Sequence, residues 1–172
     1  SEQNCVVLDI CRVSTDGISY NEPQTVLKQG DILCEEFGIT PTEAQPYIIK
    51  NPRTFNTFTK YKFSCESELE GISLALEMAE ESEIYFNGKA IEVNITGYYV
   101  DKDIKTIPLP NTQKGVNEIV IMSPISEVRQ LEPSYLLGEF NTEIKDNVIF
   151  LKPIIDNKID FNPIGEQGMD FY

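Results

Sequence analysis

The segment YFNGKAIEVNITGYYVDKDIKTIPLP, residues 85–110, decides how the chain is to be read. Asn87-Gly88 is the strongest short-range hairpin signal, because both residues tolerate the positive φ that a tight turn between paired strands requires. The residues before it, SEIYF, and after it, KAIEV, alternate as strands do. Two tyrosines, Tyr98 and Tyr99, follow, then the charged run Asp101, Lys102, Asp103. The stretch closes on KTIPLP, an aliphatic strand bounded by prolines. It reads either as the rim of a binding site or as the middle of a β-sandwich.

The same pattern continues on either side. FTKYKFSCES sets Phe58, Lys60, Lys62 and Ser64 against Thr59, Tyr61, Phe63 and Cys65. GISLALEMA places Ile72, Leu74, Leu76 and Met78 on one face. Gly115 and Asn117 introduce Val116, Ile119 and Ile121, and SYLLGEFNTEI and NVIFLKPIID complete the set. Short strands with turn signals about every 10 residues predict an all-β, antiparallel sandwich or jelly roll. Upstream, NCVVLDICRVS reads as one strand around Val7, Leu8, Ile10 and Val13, and Thr15 to Gly17 as a turn. One short helix is expected in EPQTVLKQGDILCEEFG. Pro23 would sit in its first turn, Val26, Leu27, Leu33, Cys34 and Phe37 recur at helical spacing, and Gly38 stops it. Residues 40–57 carry three prolines without a period and read as a long loop. The whole chain, 1–172, is therefore expected to be one module: a lead-in over 1–57 and a sandwich core over 58–172.

Composition narrows the function classes. The chain of 172 residues is 41% hydrophobic and 24% charged, enough for one proper core. A net charge of −14 repels nucleic acid and anionic membranes, which sets both aside as partners. No apolar run approaches the roughly 18 residues that span a bilayer. Histidine is absent, which removes Ser-His-Asp and Cys-His catalysis and the commonest transition-metal ligand. Cys5, Cys11, Cys34 and Cys65 lack metal-site spacing and read as reduced, mostly buried thiols, which leans toward a cytoplasmic setting even though the parent protein could be secreted. The chain starts at Ser1 without an initiator methionine and reads as a piece excised from something longer.

LEMAEESEIYFNGKAIEV, then GYYVDKDIKTIPLP, QKGVNEIVIMSP and LEPSYLLGEF, occur in an order that resembles the galactose-binding-like jelly roll of bacterial glycoside hydrolases. These are the sugar-binding domains of β-galactosidase- and β-glucuronidase-like enzymes. GEQGMDFY at the end is similar to the family's entry into its last strand, and the N-terminal VVLDICRVSTDG to the module's lead-in. The resemblance implies a non-catalytic accessory domain that braces or shapes the carbohydrate cleft of a catalytic domain elsewhere in the parent chain. It implies that domain, and an oligo- or polysaccharide, as partners. An independent carbohydrate-binding module and a cell-surface or assembly domain are the alternatives.

For sugar contact the candidates are Tyr98, Tyr99, Asp101 and Asp103, since flat aromatic rings flanked by carboxylates suit the apolar face and hydroxyl edge of a pyranose. The family often has tryptophans where this chain has Tyr98-Tyr99, and the chain contains no tryptophan. A structural tyrosine pair is the competing reading. Asp101, Asp103, Glu132 and Glu139 are available as a glycosidase carboxylate pair, but with 28 acidic residues such a pair arises by chance, and no catalytic residue is assigned. Asp101 and Asp103 lack a calcium-loop pattern, so neither metal nor cofactor is expected. Asn94-Ile95-Thr96 matches a glycosylation acceptor by chance.

Overall fold

A computed structural model describes residues 3–41 and 51–155. Two β-sheets pack face to face with one helix against them, an all-β sandwich. The N-terminal apolar stretch makes two strands rather than one. β1 (Asn4–Leu8) and β2 (Ile10–Ser14) belong to different sheets, and the chain passes between the sheets at Asp9. The buried residues shift accordingly: Val6 and Leu8 point inward from β1, Cys11 and Val13 from β2, and Val7 is exposed. The Asp9 carbonyl at this corner accepts the Val26 amide at 2.7 Å, which fastens the helix to the crossing point.

After the short β3 (Gln24–Thr25), the helix α1 runs over Val26–Phe37. Thr25 caps it by accepting the Lys28 amide, and Gly38 ends it in the left-handed conformation at φ 67°. Pro23 thus lies ahead of the helix, not inside it. Leu27, expected on the apolar face, is 79% exposed, and Gln29 is fully buried instead. The Gln29 amide donates to the Cys11 carbonyl at 2.8 Å and accepts from Asn21 at 2.7 Å. A polar side chain thereby replaces a hydrophobic one without an unsatisfied group.

β4 (Thr54–Cys65) begins earlier than expected, so residues 54–57 of the anticipated 40–57 loop are strand; 42–50 of that loop lie outside the described residues. Thr57, Thr59, Tyr61, Phe63 and Cys65 are buried, and the intervening residues face out. Phe55 stacks on Phe37 of α1, ring centroids 4.4 Å apart. The next strand, β5 (Ser73–Glu77), stops short of Met78, which turns out of the strand at φ 58° into a single 3-10 turn over Ala79–Glu81. β6 (Glu83–Phe86) and β7 (Lys89–Ile91) form the expected hairpin on Asn87 (φ 50°) and Gly88 (φ 82°). Then come β8 (Gly97–Tyr99), β9 (Asp101–Pro108), β10 (Gly115–Ser126), β11 (Ser134–Gly138), β12 (Asn141–Lys145) and β13 (Val148–Lys152). The anticipated entry into a last strand, GEQGMDFY, lies outside the described residues.

One sheet has the order β1-β11-β5-β9-β8. The other runs β12-β13-β4-β10-β6-β7, with β2 on β4 and β3 on β2. Its spine is the β4–β10 pair, in register from Cys65↔Gly115 to Thr54↔Ser126. Beyond β4, β2 pairs with its middle and β13 with its end. The β13–β4 pairing is parallel, an exception in an otherwise antiparallel arrangement. Leu8, Leu74, Leu76, Ile107 and Leu136 from the first sheet meet Tyr61, Phe63, Ile84, Ile119 and Leu151 from the second in one core. Strands from the 1–57 lead-in are therefore integral to both sheets.

Asn117 explains why the second sheet starts where it does. It is fully buried at the entry to β10. Its amide nitrogen donates to the carbonyls of Gln113 (2.9 Å) and Gly115 (3.1 Å), and its oxygen accepts from the Gln113 amide (2.9 Å) and the Asn87 side chain (3.0 Å). Asn87 in turn accepts the Glu118 amide at 2.8 Å. Asn117→Ala is expected to destabilise the fold by about 1–3 kcal/mol, since the Asn87 side chain and the backbone groups of Gln113 and Gly115 lose their partner together, read as a lowered urea midpoint. Gly30→Ala is expected to do the reverse. A β-carbon there would meet only Leu131 at 3.7 Å, ordinary contact, so the gain in helix propensity of about 0.5–1 kcal/mol should appear as a raised midpoint.

Candidate functional site

Tyr98 and Tyr99 lie in the edge strand β8, where the pairing slips between them. Tyr98 is opposite Lys105, whose own neighbour across β5 is the buried Leu76, so by register it takes the inward side of the sheet. It is 59% exposed there because β8 overhangs the edge. The Tyr99 ring instead packs on Tyr135 with centroids 5.3 Å apart, and Tyr135 alternates with the core residue Leu136 on the outward side. Hydrogen bonding to the Cys5 thiol, then partial burial, raises the Tyr99 phenol above its ordinary pKa. The two tyrosines therefore serve different faces and do not share a platform. Between Tyr99 and Asp101 the chain reverses through Val100, a β-branched residue at φ 63° that is 82% exposed.

Asp101 and Asp103 are also separated in role. The Asp101 carboxylate accepts the Asp103 amide at 2.9 Å and so closes the turn. Asp103 reaches a cleft of about 390 Å³ between the sheets, beside the β10–β11 connection. This cleft is more enclosed than the depression beside Glu68 and Pro153. Leu76, Ile121, Ile125 and Leu131 give it apolar walls, while Glu77, Asp103, Glu132 and Arg129 stand around it. Arg129 pairs with Glu81 at 3.9 Å, both being about half exposed. Thr59 lines the cleft, is 2% exposed, and its hydroxyl has no hydrogen-bond partner. Beside it the buried Tyr61 phenol is held protonated, chiefly by desolvation and then by the nearby Cys11, with the Ser134 hydroxyl as its partner.

Of the four carboxylates available for glycosidase chemistry, Asp103 and Glu132 share this cleft. Asp101 is committed to its turn, and Glu139 borders a separate, more open depression with Glu68, Glu70 and Pro153. Sequence reasoning missed the cleft itself and Thr59. Its one accessible sign was a threonine on the same alternating face as Tyr61 and Phe63.

Among the described residues no group of three or more potential ligands could hold a metal ion. No disulfide forms there: Cys11, Cys34 and Cys65 are buried, and Cys5 is exposed beside Tyr99. Burial, reinforced by Asp9, pushes the Cys11 thiol up to about 12 and makes it a poor nucleophile.

Replacing each tyrosine by alanine should separate their roles. Tyr99→Ala removes a ring pair and part of the cover of the outer face, and is expected to cost about 1–2 kcal/mol. Tyr98→Ala should stay within about 0.5 kcal/mol of the parent in thermal melting. The chain matches no protein-family model and no curated protein sequence.

Proposed function

We propose that the chain is a non-catalytic accessory β-sandwich domain, of the galactose-binding-like jelly-roll kind, that braces the catalytic domain of a bacterial glycoside hydrolase. The observation that carries this reading is the outer face of the five-stranded sheet. In register across it stand Cys5 and Val7 of β1, Tyr135 and Leu137 of β11, and Ser73 and Ala75 of β5; Ile104, Thr106 and Pro108 of β9 and Gly97 of β8 continue it. None is charged, in a chain with 28 acidic and 14 basic residues. Glu77 and Lys102 enter only at its margin, and the Tyr99–Tyr135 pair lies within it. Ala75 and Leu137 are buried there although they are not part of the central core. The outer face of the other sheet, by contrast, carries Lys60, Lys62 and Glu118.

Strand spacing of about 4.8 Å and a rise of about 3.4 Å per residue make this face roughly 300 Å². That is below the ~800 Å² per partner of a free-standing complex, but counted over both partners it comes to about 600 Å², the lower end of contacts between domains of one chain. The tether then supplies the local concentration that the small area does not. Targeting to polysaccharide has less support, because Tyr98 and Tyr99 are turned to opposite sides.

Three experiments test the proposal. Sequencing the reading frame outward from the encoded segment should reveal a glycosidase catalytic domain, and a frame without one overturns the reading. Val7→Lys with Thr106→Lys should then leave the melting temperature of the 172-residue chain nearly unchanged while weakening its association with that separately expressed domain by about ten-fold or more, measured by calorimetry. A panel of polysaccharides should give no binding.

A further inference from the structure

We infer that Asn87 is a site of spontaneous covalent modification, deamidation by the Gly88 amide nitrogen, and that its hydrogen bonds to β10 hold the reaction off. Asn87-Gly88 is the sole asparagine–glycine pair in the chain. Glycine has no β-carbon to hinder its own nitrogen, so that nitrogen attacks the side-chain carbonyl carbon of a preceding asparagine with the least obstruction. The new bond closes a five-membered succinimide as the side-chain nitrogen leaves as ammonia. Water then opens the ring at either carbonyl to give aspartate or isoaspartate, and no other reactant is needed. Gly88 is exposed, and a β-carbon placed on it would meet nothing within 4 Å, so water and base reach the turn freely.

The native side chain is aimed elsewhere. Its nitrogen donates to the Asn117 side-chain oxygen at 3.0 Å, and its oxygen accepts the Glu118 amide at 2.8 Å, both on β10. Closing the ring requires leaving both partners and turning back over its own backbone. The product cannot re-form these bonds. Aspartate carries an oxygen where the amide nitrogen donated, so two acceptors face each other at Asn117. Asn117 cannot answer by flipping its amide, because its nitrogen donates to the Gln113 and Gly115 carbonyls and its oxygen accepts the Gln113 amide. Isoaspartate adds a backbone carbon to a two-residue turn and so disturbs the Phe86↔Lys89 register. The conversion is one-way: slow while the side chain is held, and destructive once it has run.

The test is incubation of the 172-residue chain at mildly alkaline pH, which favours the deprotonated attacking nitrogen, followed by peptide mapping of every asparagine by mass spectrometry. In urea above the unfolding midpoint, Asn87 is expected to deamidate at least about ten-fold faster than in the native chain, and faster than any other asparagine. Two variants are compared equally far below their own melting midpoints. Asn117→Ala should raise the rate at Asn87 several-fold, whereas Leu136→Ala, a core truncation in the other sheet, should leave it unchanged. Asn87→Asp, the product made directly, should melt several degrees below the parent. Equal rates in the native and urea-unfolded chain overturn the inference, as does equal acceleration by the two variants, or Asn87→Asp melting with the parent. The unsubstituted chain and Asn87→Asp decide the question even where Asn117→Ala does not fold.

Discussion

The clasp between Asn87 and Asn117 sets the frame on which everything else is hung. One side chain turns the β6–β7 hairpin; the other enters β10 beside it, and the two meet at 3.0 Å with backbone groups closing the rest of their capacity. Because β10 pairs with β4 over its whole length, the clasp sets the register of the longest ladder in the molecule. A slip of one residue along β4 would turn Tyr61 and Phe63 to solvent and bring Lys60 and Lys62 into the core. The local choice of an asparagine at each corner thus protects a non-local choice of face.

The second constraint is the passage between sheets at Asp9. By splitting an apolar stretch into β1 and β2, the chain puts its first residues at the edge of one sheet and the next ones on β4 of the other. The helix locks this corner through the Val26–Asp9 bond and is fixed at its far end by the Phe37–Phe55 stack. Arg53 completes the attachment: it donates to Glu127 at 2.9 Å and to the Gly38 carbonyl at 2.9 Å, joining the helix end, the start of β4 and the β10–β11 connection. That connection is the wall of the cleft, so the N-terminal elements hold the cleft open indirectly.

Where sequence could be read, the reason was local chemistry. Asn87-Gly88, Gly38 and the alternation from Thr59 to Cys65 each specify a backbone conformation through their own residues, and the all-β sandwich followed from them. What escaped was decided at a distance. Nothing in VVLDICRV marks Asp9 as a crossing point, because both halves are equally apolar and only their partners differ. Gln29 was not singled out, because its burial depends on Asn21 and the Cys11 carbonyl. Leu27 looked buried because periodicity does not reveal where the sandwich ends. At the candidate site the tyrosine pair could be located but not its division between two faces, since that comes from a slip in the β8–β9 pairing. The cleft draws on β4, β5, β9, β10 and the chain before β11, a grouping that only the folded topology creates.

A chain with a surplus of 14 negative charges has to spread them over its surface, and they are not spread evenly. Carboxylates gather around the cleft and at strand ends, where water can reach them, and among the outward strand positions of the five-stranded sheet only Glu77, at the end of β5, carries one. Folding alone does not require a neutral outer face, because the opposite sheet is stable with lysines and glutamates there. The neutral face and the negative cleft are separate departures from an even surface. The first suits contact with another protein surface, and the same β-sandwich presents both by using the two sides of β5 and β9 differently.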